Sequence, residues 1–423
     1  MSIQRLIMGI AERFKPLLKM LLPQKLLRGA KDRMLDGQLD DLIGKGKKPF
    51  DRAAGPDGIN MIGLIRAEMG LGQSSRLLAA MMDHAQIPLA LYDFDLGSSL
   101  LKTGDHSLDD RISENLPYNI NLIHINPDEM KLLYTRMDAG QWDGRYNIAF
   151  WLWELEEIPE SWMRYFPLLD EIWTPSEFIS RSLRKVTDLP VYTMPYHVEA
   201  PTDDQYTRSF FRLPEDRFLY LVMYDSNSTS ERKNPMGAVL AFKKAFSPED
   251  KGVGLVLKVN NAREEDLRML RSALTGYDNI YFITGTLDKV QVNSLIRDVD
   301  VFVSLHRAEG FGLVMAEAML VGTPCIATDW SSNTEFMDGE ACCMVDYGFK
   351  TLEKDCPPYK AGAVWADPNT DTAAAFMRKL YEDPACYADK VTKAHALIDE
   401  RLGMEVTSAK IRKRLEEIYD EAF

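Results

Sequence analysis

The chain has 423 residues, 46% of them hydrophobic, with 64 acidic against 50 basic residues and a net charge of −14. That length exceeds one ordinary core and suits two domains of about 150–200 residues each, and no apolar run of about 18 residues offers a spanning helix. A phosphate backbone calls for a basic face, so the acidic balance argues against nucleic acid as the main partner.

The first 34 residues run against this balance, with eight basic side chains from Arg5 to Arg33 facing only Glu12 and Asp32. Leu6, Ile7, Ile10, Phe14, Leu17, Leu18, Leu21 and Leu22 fall at helical spacing, although Pro16 and Pro23 must kink or divide any helix. Residues 1–50 therefore read as a basic amphipathic segment. It suits an in-plane anchor on an anionic cytoplasmic leaflet, or else a helix packed on the domain surface. Lys45, Lys47 and Lys48 with Gly44 and Gly46 lack the Gly-Lys-Ser/Thr ending of a phosphate loop and read as a flexible basic linker.

Residues 51–200 read as a first Rossmann-like domain. Asn60 to Ile65 predicts a strand, and Gly70-Leu71-Gly72 a glycine turn leading into a helix through about His84. Leu89–Tyr92, Asn121–Ile125, Tyr146–Trp153, Glu171–Thr174 and Val191–Met194 read as further strands. Asp93-Phe94-Asp95 has the letters of a metal clamp but lies away from the diphosphate elements identified below. A polar stretch, about Glu199 to Asp216, reads as the interdomain linker.

Residues 201–400 repeat the alternation. Strands are predicted at Phe218–Val222, Gly254–Val259, Ile280–Ile283, Val301–Leu305, Pro324–Ala327 and Cys342–Val345, with a helix from about Pro235 to Phe246. Residues 401–423 read as a C-terminal helix. The five cysteines are odd in number and without metal-ligand spacing, which suits unbridged thiols in a reducing cytoplasm.

Ser304 to Glu317 is the densest stretch. Glu309 and Glu317 stand eight residues apart around Gly310-Phe311-Gly312, and Leu313 to Leu320 has a helical pattern. A strand, a tight glycine loop and a helix start make an anion site, because the first-turn N–H groups and the macrodipole favour phosphate. A carboxylate one turn further in can accept hydrogen bonds from sugar hydroxyls, which suits a nucleotide-sugar better than a bare phosphate.

These residues, with Arg232-Lys233-Asn234-Pro235 before a helix, Lys258 at a strand end and Gly70-Leu71-Gly72 near the start, resemble retaining glycosyltransferases of the GT-B fold, family 4, over about residues 58 to 400. The resemblance implies two doubly wound domains across a cleft, the first for acceptor and the second for donor. By it, Glu309 and the backbone of Gly310, Phe311, Gly312 and Leu313 hold donor sugar and phosphate, and Glu317 accepts from the ribose. Arg232 and Lys258 stabilise the departing diphosphate, so no metal or other cofactor is expected. Gly70 and Gly72 let the first loop approach the diphosphate or the acceptor, and His124 stands where the family often places a histidine touching the donor sugar, although a histidine beside apolar residues also suits a core. Glu154, ending a Trp-rich strand, faces the acceptor or else caps the next turn.

Trp151-Leu152-Trp153-Glu154 and Ile172-Trp173-Thr174-Pro175-Ser176 resemble the subgroup that assembles bacterial surface polysaccharide. The implied reaction moves a hexose, with mannose from GDP-mannose as the first guess, to a glycan or glycolipid acceptor at the inner face of the cytoplasmic membrane, with partner glycosyltransferases possible there. The competing readings are a non-catalytic GT-B binding subunit of a membrane glycan-assembly complex and a nucleotide-sugar epimerase.

Overall fold

The computed structural model describes residues 24–96 and 102–420. Its first sheet contains β1 (Ile59–Gly63), β2 (Leu89–Asp93), β3 (Ile120–His124), β4 (Tyr146–Phe150), β5 (Glu171–Thr174) and β6 (Val191–Thr193), in the order β2-β1-β3-β4-β5-β6. Every pairing is parallel. β1 and β3 are buried along their whole length, so both read as near-continuous apolar runs, as strands covered on both faces should. Their polar exceptions are paired. Asn60 donates to Asn121, and Asn121 to Asn147, forming a buried ladder across β1, β3 and β4.

The second sheet contains β7 (Phe218–Asp225), β8 (Val253–Asn260), β9 (Ile280–Ile283), β10 (Val301–Ser304), β11 (Cys325–Thr328) and β12 (Cys343–Val345), in the order β12-β11-β10-β7-β8-β9, again all parallel. Both expected doubly wound domains are therefore present. Each order reverses once, between β1 and β3 in the first sheet and between β7 and β10 in the second. In open α/β sheets ligands bind beyond the carboxyl ends of the strands at such reversals. Here those ends lead into residues 64–72 and 125–126 on one side, and 226–234 and 305–312 on the other.

Four features go beyond the expectations or choose between them. The helix Met404–Tyr419 is part of the first domain: Arg414 grips the fully buried Glu171, Arg412 donates to the Ala85 carbonyl, and the Tyr419 hydroxyl receives the Gly58 N–H. An amphipathic helix carries no address in its own periodicity, so its docking site was not readable. The helix Gln24–Lys45 buries Leu35 and Leu39, and its Asp36 pairs with Lys131 and Arg164, so this part of the N-terminal segment lies on the protein. The apolar stripe at residues 6–22 lies outside the described residues. The expected flexible linker is tied down, since Lys47 ion-pairs with Asp170.

The fourth feature is an antiparallel hairpin, β13 (Tyr347–Thr351) with β14 (Val364–Pro368), added after β12. Its connecting loop brings Tyr359 against Trp153 of the first domain, with ring centroids 5.5 Å apart. Other contacts also cross between domains. Glu335 accepts the backbone N–H groups of Glu177 and Phe178, capping a first-domain helix from the second domain, and Ser176 bonds Ser332. The chain crosses over at residues 194–203 and returns near Leu402, whose carbonyl accepts from Val198 N–H, so the two connections run side by side. No helix among the described residues is long and apolar enough to cross a membrane.

Candidate active site

The reversal between β7 and β10 assembles the second-domain half. After β7, Thr229 adopts φ +64°, a conformation costly for a β-branched residue, and its carbonyl accepts the N–H groups of Arg232 and Lys233. Asn234, also left-handed, caps the helix Pro235–Ala245 by accepting from Gly237 N–H, with Pro235 preset for the first helical position. The side-chain amide of Asn234 donates to the Leu305 carbonyl, Arg307 N–H to the Arg232 carbonyl, and the Arg232 guanidinium to the Ala308 carbonyl at 2.9 Å. The two loops are thus joined, and Arg232 meets Glu309.

Glu309 ion-pairs with Lys233 and lies 3.8 Å from Arg232, and its backbone N–H donates to the Ser331 hydroxyl at 3.1 Å. Burial alone would raise its pKa, but Lys233 and Arg232 outweigh that and hold it at about 2, so the carboxylate stays ionised. Arg232 is shifted up by Glu154, Tyr359 and Glu309 against the opposing effect of burial, and its Nε has no hydrogen-bond partner. Lys233 stands beside Arg232 in the chain, and nothing in the letters singles it out. Adjacent cations on one turn give no period from which to tell which one faces the carboxylate.

Gly310 lies against the other domain: a Cβ there would stand 3.4 Å from the Trp153 carbonyl and 3.7 Å from the Glu154 Cγ. Gly312 has φ +103° and starts the helix Leu313–Leu320, leaving the N–H groups of Leu313 and Val314 without intrahelical acceptors. Phe311 is buried between Tyr196 and Phe336, with centroids at 5.0 and 5.4 Å.

Glu317, one turn into that helix, is 1% exposed and ion-pairs with Lys289, while its Oε2 has no partner. Burial raises its pKa despite Lys289. Lys289 is a second residue missed in the sequence, where it was only one cation in a helical pattern. Lys258 is fully buried on β8 and donates to Asn260 and to the Gly285 carbonyl; burial lowers its pKa to about 8.

The first-domain candidates divide. Glu154 reaches the cleft and accepts the Tyr359 hydroxyl at 3.1 Å. His124 ends β3 fully buried, with Nδ1 on Ser75 at 3.1 Å and Nε2 near Ser74 and Tyr196 at 3.3 and 3.1 Å. Burial lowers its pKa to about 4, which keeps it neutral at pH 7, and its link to the Gly310-Phe311-Gly312 turn runs through Tyr196 to Phe311. Gly70 and Gly72 lie inside the first helical turn rather than in a preceding loop. A Cβ on Gly72 would come within 2.0 Å of the Ala67 carbonyl, so this glycine answers to its own chain, whereas Gly70 stands in open space. Asp93 accepts the Arg66 N–H.

Two six-stranded parallel sheets with facing reversals have close structural counterparts. The Anabaena protein HepE, solved with UDP and glucose, superposes with a TM-score of 0.63 over 86% of this chain and all of its own, at 13% identity. The fold is GT-B. A Rickettsia africae glycosyltransferase matches at 0.64 over 85% of this chain and 98% of its own, at 12% identity. Sucrose-phosphate synthase from Thermosynechococcus elongatus matches at 0.62 over 86% and 100%, at 13% identity.

In sequence, residues 232–352 match the family model described as glycosyl transferases group 1, so the match runs from Arg232 in the GT-B cleft to the tip of β13. The D-inositol 3-phosphate glycosyltransferase of Arthrobacter sp. (strain FB24) is 29% identical over 161 residues, 38% of this chain, and the match spans 33% of that relative's length.

Proposed function

We propose that the protein is a hexosyltransferase that takes a sugar from a nucleoside diphosphate sugar. The reading rests on one observation above all: the buried, ionised Glu309 is held by Arg232 and Lys233 at a glycine turn that opens a helix, eight residues before a second buried carboxylate with an unbonded oxygen. The helix start and Arg232 suit the diphosphate, Glu317 Oε2 suits a ribose hydroxyl, and Glu309 suits the sugar. Lys258 adds a cation on the neighbouring strand, so positive side chains supply the charge that a departing diphosphate needs, and transfer without a metal is the reading we adopt.

Retention of anomeric configuration follows from a front-face path. The phosphate oxygen leaves C1 and takes the proton of the incoming hydroxyl, whose oxygen bonds C1 from the same side. No protein nucleophile is used. Uridine diphosphate, held by the solved Anabaena neighbour, heads the nucleotides to try, with guanosine diphosphate next. The proposed acceptor is a glycan or glycolipid of bacterial surface polysaccharide, met at the inner face of the membrane by way of the basic N-terminal segment.

Thermal shifts with UDP, GDP, ADP, dTDP and CMP, each with and without EDTA, test this reading, because a ligand that binds only the folded state raises its midpoint. A selective shift by one diphosphate that survives EDTA is expected. No shift with any nucleotide would remove the donor-site reading, and an EDTA-sensitive shift would remove metal independence.

A further inference from the structure

We propose that Tyr359 is a positioning residue for sugar transfer, acting through Glu154; the inference rests on the reading above. Tyr359 lies in the loop between β13 and β14, beyond the stretch matched by the family model. It is 4% exposed and is fixed from three sides. Its ring packs on Trp153 of the first domain and on Trp365 of β14, at centroid distances of 5.5 and 6.1 Å, and its backbone exchanges two 2.8 Å hydrogen bonds with Cys356.

The hydroxyl donates to Glu154 Oε2, and Glu154 has its Cγ against the Gly310 turn. Glu154, Tyr359 and Glu309 all act electrostatically on Arg232, but it is Glu309 that lies at ion-pair distance from the guanidinium. A carboxylate on a loop beyond β4, facing another carboxylate across a cleft, needs a partner to hold it in place. The tyrosine does so, leaving the second carboxylate oxygen to accept a hydrogen bond from a neighbouring hydroxyl of the acceptor, or from the second O–H when the acceptor is water. The hairpin therefore reaches across the cleft to set the acceptor side of the reaction.

Water can serve as the acceptor in the test. In nucleotide-sugar hydrolysis the C1–O bond to phosphate breaks, a water oxygen bonds C1, and the water proton passes to the phosphate. Hydrolysis of UDP-glucose, UDP-N-acetylglucosamine and GDP-mannose would be measured for wild type, Tyr359→Phe, Glu154→Gln and the double variant, alongside diphosphate-induced thermal shifts. We expect kcat to fall about fivefold or more in Tyr359→Phe and at least tenfold in Glu154→Gln, with donor KM and thermal shifts held within twofold. The double variant should match Glu154→Gln within twofold, because two residues acting as one unit are not additive.

A wild-type rate in Tyr359→Phe or in Glu154→Gln, or the same factor for Tyr359→Phe in both backgrounds, would overturn the inference while leaving the donor site standing. A wild-type chain that neither hydrolyses any donor nor responds to any diphosphate would remove the transferase reading and this inference together.

Discussion

Lys289 ion-pairs with one oxygen of the Glu317 carboxylate and leaves the other, Oε2, buried without a partner. The pair leaves the carboxylate a single free acceptor, which the proposed donor would use. Replacing Lys289 with Met takes away the cation that opposes the effect of burial, so Glu317 should titrate higher still. Diphosphate affinity measured by calorimetry should drop about tenfold, or about 1.4 kcal/mol, at neutral pH. An unchanged affinity would show that Lys289 does not set the carboxylate.

Glu309 makes a second prediction, in acid. Its folded pKa of about 2 lies below the ordinary 4.5, so the unfolded chain takes up this proton first as the pH falls. The stability it contributes is complete above about pH 4.5 and is lost on the way down to about pH 2. In Glu309→Gln, urea unfolding should depend less on pH between 5 and 3. At pH 7 that variant should lose about 3 kcal/mol, since Lys233 and Arg232 are left facing no charge. A wild-type pH slope in the variant would remove the ion-pair account.

Lys258 sets the basic side. Its pKa is lowered by burial to about 8, with Asp225 opposing, so its charge disappears as the pH rises through that value. Diphosphate binding should weaken above about pH 8, and Lys258→Met should bind roughly 100-fold more weakly with that limb gone, a change of about 2.8 kcal/mol. Isothermal titration between pH 6 and 9.5 checks this; a flat wild-type profile would exclude Lys258 from the phosphate site.

Arg414 grips Glu171, whose carboxylate also receives the Trp173 and Tyr146 side chains. Arg414→Leu leaves a fully buried carboxylate without its cation and should cost about 3–5 kcal/mol. Urea unfolding followed by tryptophan fluorescence reports it, because Trp173 lies on the same strand. A loss below about 1 kcal/mol would mean the contact is peripheral.

Much of this molecule was legible in its letters. Strands buried on both faces, such as Leu219–Val222 and Leu255–Leu257, had to be apolar throughout, and helix starts such as Asn234-Pro235 carry their own caps. Glu309, Glu317 and Arg232 could be picked out because a glycine turn between strand and helix is a local pattern. Their partners Lys233 and Lys289 could not, since the identity of an ion pair is fixed by packing between segments. The hairpin escaped because β13 is largely exposed and Tyr347–Thr351 has no apolar run. The partners of His124 were equally hidden, since a strand-end histidine carries no sign in sequence that it will meet Ser74, Ser75 and Tyr196.

The return of the chain to its starting domain also matters during synthesis. Helix Met404–Tyr419, which packs on the helix Gly70–His84 and pairs with Glu171, leaves the ribosome only after the whole second domain. Until then the first domain lacks one wall, and the surface that wall will cover stays open to solvent and to other nascent chains. Domains usually mature in the order in which they emerge. Here the second domain can be complete before the first, so chains released early should depend more heavily on chaperones than their length suggests.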